Sequence, residues 1–146
     1  GEKFLENLYI AGLLHDVGKI GIPEHILNKS SDLTIGERNK IKKHPLIGVS
    51  ILKPIKELNE SILGVRYHHE RYDGLGYPDG LKGEQIPLIA SVISVADSFD
   101  AMTTDRPYRP ALYKNDAIGE IKRLKSRQFN PHAADAFIEL YREGKI

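Results

Sequence analysis

Apolar positions along the chain recur at the spacing of a helix far more often than they alternate. Phe4, Leu5, Leu8, Ala11 and Leu14 mark one helical face, and Gly18 suggests its stop. A short loop is expected over Gly21 to Lys29. Thr34 with Glu37 reads as a capping box that opens a helix running to about His44. Pro45 breaks that pattern, and a second apolar stretch, Leu46 to Leu52, resumes after it. Glu60 to His69 predicts a helix that ends in two histidines. Arg71 to Glu84 holds Gly74, Gly76, Gly80, Gly83 and Pro78, too many breakers for a helix, so a structured loop is expected. Pro87 suits the first position of a helix to about Thr103, with Ile89, Val92, Ile93, Ala96 and Phe99 on its face. Asn115 can cap a helix to about Lys125. Asn130 and Pro131 open the last helix, and Gly144 closes it. Ala90 to Val95 is the sole rival strand segment. The reading is an all-α domain of about six or seven helices over residues 1–146.

Composition narrows the function. Hydrophobic residues are 40% and charged residues 28% of 146, the balance of a soluble globular domain. Lys plus Arg number 21 and Asp plus Glu 20, so the net charge of +1 gives no case for duplex nucleic acid as the partner. There is no Cys, which excludes a disulfide framework, a thiolate metal site and a Cys nucleophile. No apolar run approaches the roughly 20 residues that span a bilayer. The first ten residues carry Glu2, Lys3, Glu6 and Asn7, which is no signal peptide. A cytoplasmic location is expected. The chain starts without Met and runs straight into a helical pattern, as a fragment of a larger protein would.

The chemistry gathers around histidine and aspartate. His15 and Asp16 fall together at a predicted helix end, and His68 and His69 form a second adjacent pair at another. His44 precedes a proline at a third. Asp97 sits among the apolar residues Val95, Ala96 and Phe99, with Asp100 one turn later. Each piece alone has a plain explanation. A His-Asp dipeptide is a common surface pair, and Asp97 can cap its helix or pair with Arg66 or Arg71. His25 and His132 have no such company and read as surface residues or as residues that support the ligands from behind. Together the set suits iron, manganese, zinc or nickel better than calcium or magnesium. Two or more ions would share a carboxylate bridge.

The runs His15-Asp16-Val17-Gly18-Lys19 and His68-His69-Glu70-Arg71-Tyr72-Asp73-Gly74-Leu75-Gly76-Tyr77-Pro78 resemble the two defining motifs of the HD-GYP family, a branch of the HD phosphohydrolase superfamily. Asp97 to Arg109 resembles the segment that follows them, and the intervening His44-Pro45 agrees. The resemblance implies an all-helical HD-domain bundle. It also implies a phosphodiesterase that opens cyclic di-GMP to linear pGpG or GMP, using two or three divalent ions, most often iron or manganese. His15, Asp16, His44, His68, His69 and Asp97 would be metal ligands, with Asp16 as bridge. Lys19 would hold the scissile phosphate and offset its developing charge. Arg106 and Arg109 would grip phosphate oxygens, and Tyr77 would contact the dinucleotide. Gly74, Gly76, Gly80 and Pro78 would shape the loop.

The resemblance further implies an output domain in bacterial signal transduction, behind an upstream sensor or receiver domain. The Gly-rich loop around Tyr77 would offer contact to other signalling proteins. Family members carry one more helix before the first motif, supplying a further His and, in three-metal members, a Glu. Only fourteen residues precede His15 here, and none is His. The expectation is therefore a bundle lacking its first helix, one metal position short of a ligand, and an uncovered face including Phe4, Leu5 and Leu8. The alternative is a catalytically impaired module that binds a cyclic dinucleotide or a protein. A simpler HD phosphohydrolase acting on nucleotides would not need the loop.

Overall fold

The computed structural model describes residues 1–146 and contains helices and loops with no β-strand. The α-helices are α1 (Glu2–Leu14), α2 (Glu24–Leu27), α3 (Ile35–Ile41), α4 (His44–Leu52), α5 (Asn59–Tyr67), α6 (Leu88–Thr103), α7 (Lys114–Leu124) and α8 (Pro131–Arg142). Apart from the single turn of α2, seven helices make the all-α bundle expected from the apolar spacing. Ala90 to Val95, the rival strand, lies inside α6. No helix is long and apolar enough to cross a membrane.

Several boundaries follow from local chemistry. Thr34 Oγ1 accepts from the Glu37 N–H while the Glu37 carboxylate accepts from the Thr34 N–H, the reciprocal capping box that starts α3. Asn130 Oδ1 accepts from the His132 and Ala133 N–H groups, and Pro131 occupies the first turn of α8. Pro45 likewise sits in the first turn of α4, where its missing N–H costs nothing. Only Lys42 and Lys43 lie between α3 and α4.

Three expectations need correction. The segment Gly21 to Lys29 is not all loop, because α2 forms one turn there with Ile26 buried. Asn115 caps nothing: α7 begins at Lys114 behind Tyr113, and the Asn115 side chain instead accepts from the Tyr141 hydroxyl. Phe4 and Leu8 are not uncovered. They pack against Ala11, Ile89 and Ile93, and the exposed stripe of α1 is Leu5, Tyr9 and Leu13.

Helix α6 organises the molecule. Ile89 and Ile93 bury against α1 and α5, while Val95 and Phe99 join Ala117, Ile118, Ile121, Phe129 and Ile138 in the larger cluster with α7 and α8. Each such buried Ile, Val or Phe side chain contributes on the order of 1.5–3 kcal/mol. That rigid packing leaves a third side of α6, around Asp97, facing the ends of α1 and α5. The ends of α1 and α5 and the start of α4 meet there.

Candidate metal centre

The six expected ligands arrive from four places in the fold. His15 and Asp16 follow α1 and precede a 3-10 turn, Val17–Gly21, that packs on α4. His44 begins α4, His68 and His69 follow α5, and Asp97 lies within α6. The ligand atoms of Asp16, His44, His68 and His69 all lie within 4.8 Å of one another, and so do those of His15, Asp16 and Asp97. Asp16 belongs to both groups. Its Oδ1 is 3.2 Å from His44 Nε2 and 3.7 Å from His68 Nε2, while its Oδ2 is 3.4 Å from His15 Nε2. His15 Nε2 is also 3.4 Å from Asp97 Oδ1.

One local device orients three of the histidines. Each presents Nδ1 to the carbonyl three residues back: His15 to Gly12 O at 2.6 Å, His44 to Ile41 O at 2.7 Å, and His68 to Val65 O at 2.9 Å. A carbonyl can only accept, so Nδ1 carries the hydrogen and Nε2 is turned inward. In a neutral ring that Nε2 is a lone pair. His44 Nε2 and His68 Nε2 then face each other at 3.3 Å, both beside the Asp16 carboxylate.

The electrostatics match a site built for positive charge. The nearby carboxylates of Asp16 and then of Asp97, each 3.4 Å from Nε2, raise His15 to about 10, against the opposing effect of burial. Burial works against ionisation of Asp16, but His15, His44, His68 and Lys19 together hold its carboxyl far below the usual range. Burial also opposes ionisation of Asp97, and His15 outweighs it. Burial, then the neighbouring His68 and His44, pushes His69 down to about 3, which leaves its ring neutral and able to ligate.

A metal fits these residues. His15 Nε2 and Asp16 Oδ1 are buried and make no geometrically sound hydrogen bond. Buried polar atoms are rarely left so. Inward imidazole lone pairs with two carboxylates make the mixed nitrogen and oxygen set that suits iron, manganese or zinc.

The Gly-rich loop is held against the centre by Glu70, a residue to which the sequence reading gave no role. Glu70 is buried, and its carboxylate accepts from the N–H groups of Asp79 (2.7 Å), Gly80 (3.0 Å) and Leu81 (3.0 Å). Its place directly after the histidine pair was the one signal available. The loop folds tightly back at Gly76, where a Cβ would overlap Arg71 N and lie 2.5 Å from His69 O. Tyr77 thereby stacks on His69, with ring centroids 4.9 Å apart and planes 19° from parallel. The Lys42 ammonium also lies over the Tyr77 ring. Burial, then Asp16 and Asp97, pushes the Tyr77 hydroxyl up to about 12, so it keeps its proton. Removing Glu70 would strand three N–H groups, each costing about 1–3 kcal/mol if left unmade. In Glu70→Ala, amide exchange at Asp79, Gly80 and Leu81 should speed by about tenfold or more. Unchanged protection would show that something else holds the loop.

The remaining expected residues divide. Lys19 Nζ is 2.8 Å from Asp16 Oδ2, so it borders the centre directly. Arg106 is exposed beside Lys19 in a neighbouring groove. Arg109 is not aimed at the centre: its guanidinium donates to Ala101 O at 2.7 Å and ties the following loop to α6. Asp100 is exposed at the rim, near His15 and Asp97. Arg66 pairs with Asp79 and Arg71 with Asp73, so neither is the partner of Asp97. His25 and His132 are exposed.

Comparison with known proteins agrees with this geometry. The profile of the HD domain family matches residues 1–132. The chain belongs to the HD domain family. Its two motifs place it in the HD-GYP branch. Over 146 aligned residues it is 42% identical to a cyclic di-GMP phosphodiesterase of Thermotoga maritima, covering 97% of this chain and 39% of that protein. It is also 42% identical, over 139 residues, to the cyclic di-GMP phosphodiesterase response regulator RpfG of Xanthomonas campestris pv. campestris, covering 94% of this chain and 37% of the relative. The fold superposes on a crystal structure of a cyclic GMP-AMP-specific phosphodiesterase from Vibrio cholerae with a TM-score of 0.73 at 20% identity, over 99% of this chain and 40% of that one. The chain thus spans about two fifths of the length of the relatives it matches.

Proposed function

We propose that this HD-GYP domain hydrolyses a phosphodiester bond of cyclic di-GMP, releasing linear pGpG or GMP, as the cytoplasmic output domain of a bacterial signalling protein. The observation that carries the reading is the convergence of the His15, His44 and His68 Nε2 atoms on the Asp16 carboxylate, their Nδ1 atoms already committed to backbone carbonyls. The relatives named cyclic di-GMP phosphodiesterases support the substrate. The response regulator among them supports an upstream receiver or sensor domain.

His15, Asp16, His44, His68, His69 and Asp97 would hold two or three divalent ions, iron or manganese, and Asp16 stands where it can serve two of them. Bound there, such ions supply Lewis-acid stabilisation to the phosphoryl oxygens. The chain's own groups do the rest. Lys19, beside Asp16 and partly exposed, offsets negative charge that develops on the phosphate. Arg106 holds a phosphate oxygen from the groove side. The Tyr77 hydroxyl, kept protonated, donates a hydrogen bond to the dinucleotide.

Lys19 gives the test. Lys19→Ala should lower turnover of cyclic di-GMP by about 10²–10³, the usual effect of losing one charge-stabilising donor. Metal content should hold, because the variant removes a positive charge from beside the cations. The assay is hydrolysis of cyclic di-GMP alongside elemental analysis of the same preparation. Parallel loss of metal and turnover would assign Lys19 to the metal site and not to the phosphate.

One observation favours a second reading, contact with another signalling protein. Leu75, in the Gly-rich loop, is 78% exposed while Tyr77, two residues on, turns inward onto His69.

A further inference from the structure

A groove of about 550 Å³ lies beside the metal centre, between the segment from α2 to α3 and the loop that carries Arg106 and Tyr108. Lys19 belongs to both places: it lines the groove and its ammonium is 2.8 Å from Asp16 Oδ2. The groove therefore opens onto the position where a scissile phosphate would sit.

Its lining is unlike an ordinary solvated surface. Lys19, Lys29, Arg38 and Arg106 contribute four cations, and Asp32 is the one carboxylate among the lining residues. Lys29 is occupied by Glu37 at 2.8 Å. Arg38 and Arg106 form no ion pair with any carboxylate, and neither guanidinium donates a side-chain hydrogen bond. Ile26 and Ile41 line it as well, which places apolar surface beside the two forks. Tyr108, 70% exposed, presents an aromatic ring at the mouth. Planar guanidinium forks recognise phosphate in two-point fashion, and apolar and aromatic surface suits a nucleobase.

A cyclic dinucleotide carries two phosphates joined through nucleosides, and only one of them can be at the metal centre at a time. Resting on the functional reading above, we propose that this groove is the subsite for the second phosphate and its nucleoside. In it Arg38 holds the phosphate and Tyr108 stacks against the base. The subsite would select a two-phosphate cyclic dinucleotide over a diester with a single phosphate. Arg38 suits the task because it sits on α3, away from the metal ligands and with its guanidinium uncommitted.

The experiment uses the full-length protein. Calorimetric titration of cyclic di-GMP into metal-free wild type, Arg38→Ala and Arg38→Lys is set beside kcat/KM of the metal-loaded proteins for cyclic di-GMP and for bis(p-nitrophenyl) phosphate. Arg38→Ala should weaken cyclic di-GMP binding by about tenfold or more, as loss of a charged hydrogen bond does. The ratio of kcat/KM for cyclic di-GMP to that for the single-phosphate diester should fall by a similar factor. Arg38→Lys should recover part of both, since it keeps the charge and loses the fork. If wild type binds cyclic di-GMP and Arg38→Ala binds it equally well, the subsite is wrong and the functional reading stands. If both substrates suffer alike, Arg38 acts on the centre as a whole and the subsite is again wrong. If wild type neither binds nor cleaves cyclic di-GMP, the functional reading fails and the subsite fails with it.

Discussion

Asp16→Asn should strip the domain of most of its bound metal and lower phosphodiesterase turnover by at least about a thousandfold, beyond the 10–100-fold that an outer partner of a metal ligand costs. Asn keeps the shape of the side chain and removes its charge. At this position the charge is what the neighbours are arranged around. Three imidazole Nε2 atoms stand within 3.7 Å of the carboxylate, and Lys19 stands at 2.8 Å. Both ligand groups share Asp16, so the loss would fall on two ion positions at once and not on one. The variant also leaves His15 with Asp97 alone as its anionic neighbour. Elemental analysis and cyclic di-GMP turnover on one preparation decide the matter. An Asp16→Asn protein with wild-type metal and wild-type turnover would remove Asp16 from the centre, and with it the bridging assignment.

Four of the six candidate ligands were legible because they come as dipeptides at helix ends, where a short sequence signal coincides with a structural one. His15-Asp16 and His68-His69 end α1 and α5, and the packing of those two helices against α6 brings Asp97 to them. What the chain could not disclose was orientation. The bonds from Nδ1 to the carbonyls of Gly12, Ile41 and Val65 are ordinary consequences of helical geometry, yet they turn Nε2 inward, and no residue type announces them. Glu70 was overlooked for a related reason: its partners are backbone N–H groups nine to eleven residues on, which carry no side-chain signature. The bond from Arg109 to the Ala101 carbonyl was equally hidden, because a backbone acceptor eight residues away has no signature of its own. Asn115 was a sound cap by residue type. The chain turns into α7 two residues earlier, at Tyr113, whose carbonyl accepts from both the Asp116 and Ala117 N–H groups. In each miss the competing partner is distant in sequence or belongs to the backbone.

Gly18→Ala should cost about 3–5 kcal/mol, placing it among the exceptional single substitutions, and lower the melting temperature by about 10 °C or more. The motif that carries His15 and Asp16 continues through Gly18 into the 3-10 turn, and this turn lies directly on α4. A Cβ at Gly18 would overlap His44 O outright, lie 2.6 Å from Gly48 N and 2.8 Å from the His44 carbonyl carbon. All three are backbone atoms, so no rotamer change relieves the overlap and one segment must move. The atoms displaced are those of His44 itself, which stands 3.2 Å from Asp16. The same methyl that destabilises the fold therefore separates two members of the candidate metal centre, and bound metal should fall with the melting temperature. Gly12→Ala is the control. Its Cβ would meet nothing within 4 Å, and an exchange of Gly for Ala inside a helix is neutral or stabilising by up to about 1 kcal/mol. Circular dichroism melts of the two variants, with elemental analysis of each, separate a steric effect at the turn from a general intolerance of α1 and its extension. If Gly18→Ala melts within about 2 °C of wild type, a shift that about 0.5–1 kcal/mol would produce, the close approach of the turn to α4 is wrong. The adjacency of Asp16 and His44 would then need another basis.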